Sequence, residues 1–231
     1  MTLAVAAPLL CVLAVVMAAV EIEIEGPYGW AEKLPTPYRV SGPLARVFGL
    51  VLGGKPLTGY NLLLFAATLV AFHLPFAFGA PWTAARELAL LAAWIAWSAV
   101  WDFLWFLLNP AYGWRRFRPG NVWWHSRWLW RLPLDYWVAG VASLLLALAG
   151  QLVADGAPGG EASAGDSGPL AAQVLLLAAF AALAVAAGLL SPLYRRLYAR
   201  THAAAFDERG RVPIMPPPGE APPARGCHKD G

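Results

Sequence analysis

The sequence predicts an all-α fold: a multi-pass transmembrane helical bundle of about five spans, with an aromatic and basic interfacial loop and a disordered C-terminal tail. Three observations predict it. Of 231 residues, 59% are hydrophobic and only 13% are charged, with a mean hydropathy of +0.53; soluble domains carry about 25% charged residues. Five apolar runs, roughly 2–20, 57–79, 84–108, 134–154 and 169–193, are each long enough for a helix across a hydrocarbon core of about 30 Å. The cations lie almost entirely between these runs. Backbone groups in lipid must bond within their own segment, and the runs lack the alternation of barrel strands.

The first run reads as a retained span. It has no basic leading segment, and "MAAVEIE" offers no small-residue cleavage signal. Glu21, Glu23 and Glu25 follow, alternating with Ile22 and Ile24. In an extended chain the three acids share one face, whereas in a continued helix Glu21 and Glu25 share a face and Glu23 points elsewhere. "GPYGW" and "LPTPYR" read as turns. Residues 40–54, "VSGPLARVFGLVLGG", read as a short piece lying in the membrane interface. The adjoining "LVLGGKPLTG" lacks the first glycine of a phosphate loop and is not a nucleotide site.

The second span carries His73, with Pro75 as a source of a kink and Glu87 as the nearest ionisable neighbour on the next span. The third contains Asp102 among Trp94, Trp97, Trp101 and Trp105. Pro133 and Pro169 suit the starts of the fourth and fifth spans. In the fourth, "GVASLLLALAG" offers small residues for a helix contact. Residues 155–168 form a Gly/Ala/Ser linker. The organisation is an integral membrane domain over 1–203 and a Pro-rich tail over 204–231, containing "PIMPPPGEAPPARG".

Orientation follows from Lys and Arg. Segment 21–56 carries Lys33, Arg39, Arg46 and Lys55. Segment 109–133 carries Arg115, Arg116, Arg118, Arg127 and Arg131, and the stretch after 193 carries the rest. Of the 17 cations only Arg86 falls elsewhere. The expected localisation is therefore the cell (inner) membrane, with the N-terminus outside and the C-terminus cytoplasmic.

Asp102 is the leading candidate for chemistry. An acid in a span costs on the order of 3 kcal/mol at mid-depth and should face protein or water. On a helix, Ser98, Asp102 and Asn109 share a stripe. His125 and Asp135 belong to the same side of the membrane and approach Asp102 there, so Asp102 and His125 are candidate acid–base residues. Glu25, Asn109 and Asp135 are candidates for binding or orientation. Arg115, Arg116 and Arg118 are candidates for holding an anionic, lipid-like ligand. His73 lies roughly 20 Å from Asp102 along the membrane normal and cannot pair with it. The tryptophan- and arginine-rich loop reads more simply as an interfacial belt against anionic headgroups than as a nucleic-acid surface.

Only four histidines occur, too few for a histidine-rich oxygenase site, and His73 has no mate for bis-histidine haem. The two cysteines, Cys11 and Cys227, make neither a disulfide framework nor a metal knuckle. No GxSxG or HExxH motif is present. The cofactor is unknown and no metal site is expected. The expectation is a membrane protein with a polar site at the cytoplasmic leaflet, binding or acting on a lipid-like anionic molecule. The alternatives are a non-catalytic scaffold or accessory subunit, and a small transporter acting as an oligomer. The expected partners are the bilayer with its anionic headgroups, a second copy or another membrane protein, and no nucleic acid.

Overall fold

A computed structural model describes residues 3–26, 28–110, 112–156 and 168–209. It is mostly helical, and five helices are long and apolar enough to cross a membrane. These are α1 (Leu3–Glu25), α3 (Gly59–Ala77), α4 (Ala84–Leu108), α6 (Leu134–Asp155) and α7 (Pro169–Arg209). Between them lie β1 (Tyr38–Arg39), α2 (Pro43–Val51), β2 (Leu57–Thr58), α5 (Gly113–Arg116), β3 (Trp128–Leu129) and β4 (Leu132–Pro133).

The boundaries follow local chemistry. Thr58 and Thr83 cap α3 and α4, accepting from the amides of Asn61 and Arg86 at 3.0 and 3.2 Å. Pro43 opens α2 at a position that needs no amide donor, and Pro133 immediately precedes α6. The first helix continues through "EIEIE", so Glu21 and Glu25 share a face and Glu23 is exposed. The fifth long helix runs past 193, through residues 204–209 of the expected tail, to Arg209. Residues 157–167 of the linker and 210–231 of the tail lie outside the described residues.

The fourth helix is the axis of the bundle. Of its apolar window 44% is buried, against 17–22% in the other four spans, and α1, α6 and α7 pack around it. Ser143, Ala147 and Gly150 are buried on α6, where a Cβ on Gly150 would lie 3.0 Å from the Ala85 carbonyl oxygen of α4. The small-residue stripe read as a helix contact is thus used within the chain. By contrast α3 meets α4 closely over only a short stretch, held by Trp94 Nε1 donating to Thr68 Oγ1 (3.1 Å) and by Phe65 and Phe72 against Trp97 and Trp101. This leaves a lateral gap between α3 and α6.

The basic segments gather at one end of the bundle. There β1 pairs antiparallel with β2, and β3 with β4. Asn109 Nδ2 donates to the Gly26 carbonyl (2.8 Å), Trp123 Nε1 to Glu32 Oε2 (3.0 Å) and Ser126 Oγ to the Gly53 carbonyl (2.5 Å). The loop is not purely an interfacial belt. Trp124 is buried, stacked on Phe106 at 5.7 Å, and Trp128 packs edge-on against Phe117. Among the described tryptophans of the loop, Trp123 and Trp130 are exposed.

Candidate functional site

Asp102 projects from α4 six residues before its end, and Asp135 and Tyr136 lie in the first turn of α6. His125 comes from the loop between them, and Lys55 follows the Gly53–Gly54 turn that ends α2. Both glycines have positive φ, 65° and 95°, a region costly for other residues. The turn carries Lys55 back under the bundle, where it is 4% exposed.

These side chains form a closed ring in which each aspartate lies between Lys55 and His125. Lys55 Nζ lies 3.0 Å from Asp135 Oδ2 and 3.7 Å from Asp102 Oδ2. His125 Nδ1 lies 3.2 Å from Asp135 Oδ1, and Nε2 lies 3.3 Å from Asp102 Oδ2. A neutral imidazole donates through one nitrogen, and an imidazolium through both. Both nitrogens lie within ion-pair distance of the aspartates without meeting hydrogen-bond geometry. The Tyr136 hydroxyl donates to Asp102 Oδ2 at 2.5 Å. Three partners thus converge on Oδ2. Oδ1 takes no hydrogen bond from the described residues, and the Asp102 side chain keeps 24% exposure.

The Lys55 ammonium also sits 4.5 Å above the Trp30 ring. Trp30 and Ala31 both have positive φ, 56° and 57°, which is strained for residues bearing a Cβ. Glu25 holds this turn by accepting from the Ala31 amide at 2.6 Å, and Trp30 Nε1 donates to the Pro56 carbonyl at 2.8 Å.

The ring closes one end of an apolar groove of about 500 Å³. Val47, Phe48 and Val51 of α2 cover it; Phe65 and Leu69 of α3, Trp94 and Ala99 of α4, and Ala139 of α6 form its walls. Ser98, Lys55, Asp102, Asp135 and Tyr136 supply its polar end. His125 lies behind Asp102 and Asp135, with its side chain 1% exposed.

Asp102, His125 and Asp135 meet, but the other residues singled out in the sequence lie elsewhere. Asn109 leaves the Asp102 stripe because α4 ends at Leu108; it is a buried clamp on Gly26. Glu25 anchors the Trp30–Ala31 turn. Arg116 and Arg118 are exposed and line no part of the groove, Arg116 lying 5.9 Å from the Tyr112 ring. The Arg115 side chain is outside the described residues. His73 pairs with Glu87 at 3.0 Å, remote from this site. Outside the spans, burial and then the charge of Glu32 push the Tyr112 hydroxyl up to about 12.

Sequence reasoning passed over Lys55, Tyr136 and Trp30. Lys55 left one signal, a lone cation after "LVLGG" in an otherwise apolar stretch. Among the described residues no three His, Cys, Asp or Glu side chains converge as metal ligands. The Lys55 ammonium occupies the position between the two aspartates that a cation would take. Comparison of the chain with protein-family models, with curated proteins and with solved structures finds no match in any of the three.

Proposed function

We propose that this protein is an integral protein of the inner membrane that draws a lipid-like molecule sideways between α3 and α6 and does acid–base chemistry on its polar end. The supporting observation is the junction of an apolar groove of about 500 Å³ with the polar side chains of Asp102, Lys55, Asp135, Tyr136 and Ser98. Ligand sites of this kind are largely apolar with a few polar groups that fix orientation. Asp102 Oδ1 would accept from, or take a proton from, the ligand. His125 and Tyr136 hold the carboxylate through Oδ2, and Lys55 compensates its charge. The two aspartates balance Lys55 and, when protonated, His125. A head carrying a hydroxyl or amine donor therefore suits the site better than a phosphate. This narrows the anionic ligand expected from the arginines.

In this reading the ring end faces the cytoplasm, as the distribution of Lys and Arg directs. A thiol-reactive, membrane-impermeant probe should miss Arg118→Cys from the outside and label it after the membrane is opened. Labelling from outside would invert the orientation.

The ligand itself is tested by purifying the protein in nanodiscs, extracting bound lipid and comparing it with Ala99→Trp and Ala139→Trp, which fill the groove. The wild type should retain an amphiphile that both variants lose. Asp102→Asn and His125→Ala should keep the amphiphile but stop its conversion when membrane lipid extract is supplied. Equal retention by wild type and filled variants would refute the binding site. A second reading, a scaffold whose ring only fastens loops, rests on the closure of that ring; no conversion by the wild type, with lower thermal stability in Asp102→Asn and His125→Ala, would favour it.

A further inference from the structure

Beside the groove, sharing Phe65, Ser98 and Asp102 with it, lies a second and much smaller cavity of about 10 Å³. Glu21, Trp30, Asn61, Ser98, Trp101 and Asp102 line it. Its volume is about that of one water position, and a buried water needs two to four polar partners. Trp101 is 3% exposed, and its indole N–H is buried without a hydrogen-bond partner among the described residues. The Glu21 carboxyl is within reach of that N–H, although no direct bond of normal geometry is made. The Tyr60 hydroxyl is a second buried group without a hydrogen-bond partner among the described residues, within electrostatic reach of Glu21 and Glu25. An unmade hydrogen bond at a buried donor costs about 1–3 kcal/mol, so a partnerless indole N–H on a residue lining a polar cavity calls for an acceptor. Water fits as acceptor from Trp101 and donor to the carboxylates.

Charge balance gives the water a task. Glu21, Glu25, Asp102 and Asp135 are four carboxyl groups in one end of the bundle, facing one lysine and one imidazole. Four carboxylates cannot all be ionised cheaply against at most two positive charges in a low dielectric.

We propose that this cavity holds one ordered water that joins Glu21 to Asp102, so that the two carboxyl groups share a proton. When the proton moves inward, the Glu21 carboxyl gives it to the water oxygen and the water passes one of its own protons to Asp102. Glu21 becomes a carboxylate, Asp102 a carboxylic acid, and the water is regenerated. The groups facing this pair are Glu25 on α1, Tyr60 and Asn61 on α3, Ser98 and Trp101 on α4, and Lys55 with Trp30 from the loops; beyond Asp102 stand His125, Asp135 and Tyr136. The water and the shared proton are read without any ligand, so they stand apart from the lipid reading.

Radiolytic footprinting of the intact protein in nanodiscs tests the water, because hydroxyl radicals formed from a trapped water oxidise the side chain beside it. Trp101 and Trp97 are an internal pair. Both are buried, but Trp97 Nε1 donates to the Leu10 carbonyl at 2.9 Å and lies outside the cavity. Trp101 should be oxidised several-fold faster than Trp97, and Ser98→Val, which fills the cavity, should bring the two rates together. Equal rates in the wild type would overturn the water site. Infrared titration tests the shared proton. A carboxylic-acid band sensitive to deuterium oxide should vanish in Glu21→Gln and shift in both Asp102→Asn and Trp101→Phe. A Glu21 band indifferent to Asp102→Asn would overturn the sharing even where the footprint stands.

Discussion

Replacing Lys55 with Met removes one positive charge and leaves a chain of similar length in the same buried space. At effective dielectric near 20, the attraction of Nζ to Asp135 at 3.0 Å is about 5.5 kcal/mol, and to Asp102 at 3.7 Å about 4.5 kcal/mol. Those gross figures are opposed by the desolvation that a buried ammonium incurs, which the variant no longer bears. What remains is the penalty of two aspartates left with only His125 between them, about 3–5 kcal/mol for a broken buried pair. At roughly 3 °C per kcal/mol for a chain of this size, the midpoint of thermal unfolding should fall on the order of 10 °C. Tryptophan fluorescence in a fixed detergent follows it. The decisive comparison is the cycle with Asp135→Asn. The double Lys55→Met/Asp135→Asn should lose less stability than the two single losses added together, by a coupling of about 1–3 kcal/mol. Strictly additive losses would refute the ring as an interacting unit.

Four further outcomes follow. Asn109→Ala should lower stability by about 1–2 kcal/mol through the orphaned Gly26 carbonyl, and leave the retained lipid unchanged on extraction. Gly29→Ala should cost about 1–3 kcal/mol or more in the same unfolding assay, because its Cβ would fall 2.1 Å from Trp124 Cη2. Arg116→Ala and Arg118→Ala, which touch no groove atom, should leave lipid retention at the wild-type level. Tyr112 gives a pH test. Its hydroxyl ionises near 10 when unfolded and about 12 when folded, so the unfolded chain releases its proton first and stability is lost as pH rises from 10 through 12. Unfolding curves between those values should be flatter for Tyr112→Phe, and an unchanged alkaline slope would remove Tyr112 from the account.

The spans were legible because lipid imposes a composition on about 20 residues at a time, a signal that survives ignorance of packing. That is why the expected run 84–108 and the helix Ala84–Leu108 coincide. The meeting of Asp102, His125 and Asp135 was accessible for a coarser reason, since cations assigned all three to one end. Depth and side do not give direction, however. Asn109 shares a helical stripe with Asp102 only if α4 continues, and it stops one residue earlier. Arg116 and Arg118 look like ligands in a list of charges, yet both are exposed, while the less conspicuous Lys55 is carried inward by two positive-φ glycines. Glycine pairs do not state which way a turn sends the chain, so nothing in "LVLGGKPLTG" told that its lysine would be buried.

The groove and the ring have one geometric origin. The third helix begins at Thr58, and that residue is fixed from two sides: its strand pairs with β1, opposite Tyr38, and its hydroxyl interacts with Asn61. This fastens the start of α3 to the loop layer rather than to α6. The two helices therefore diverge, and α4 is left covered by α2 instead of by a neighbouring span. A short helix exposing Leu44, Val47, Leu50 and Val51 beside the bundle suits the interface between headgroups and hydrocarbon. The same loop layer brings Lys55 and His125 to the gap, at the end of α4 that carries Asp102; Glu87, at the other end, pairs with His73. Asp102 is thereby held on one oxygen by the ring and left open on the other. A fastener alone would use both oxygens. Oδ1 accepts no hydrogen bond from the described residues, which suits the donor of the proposed amphiphile or the proposed water.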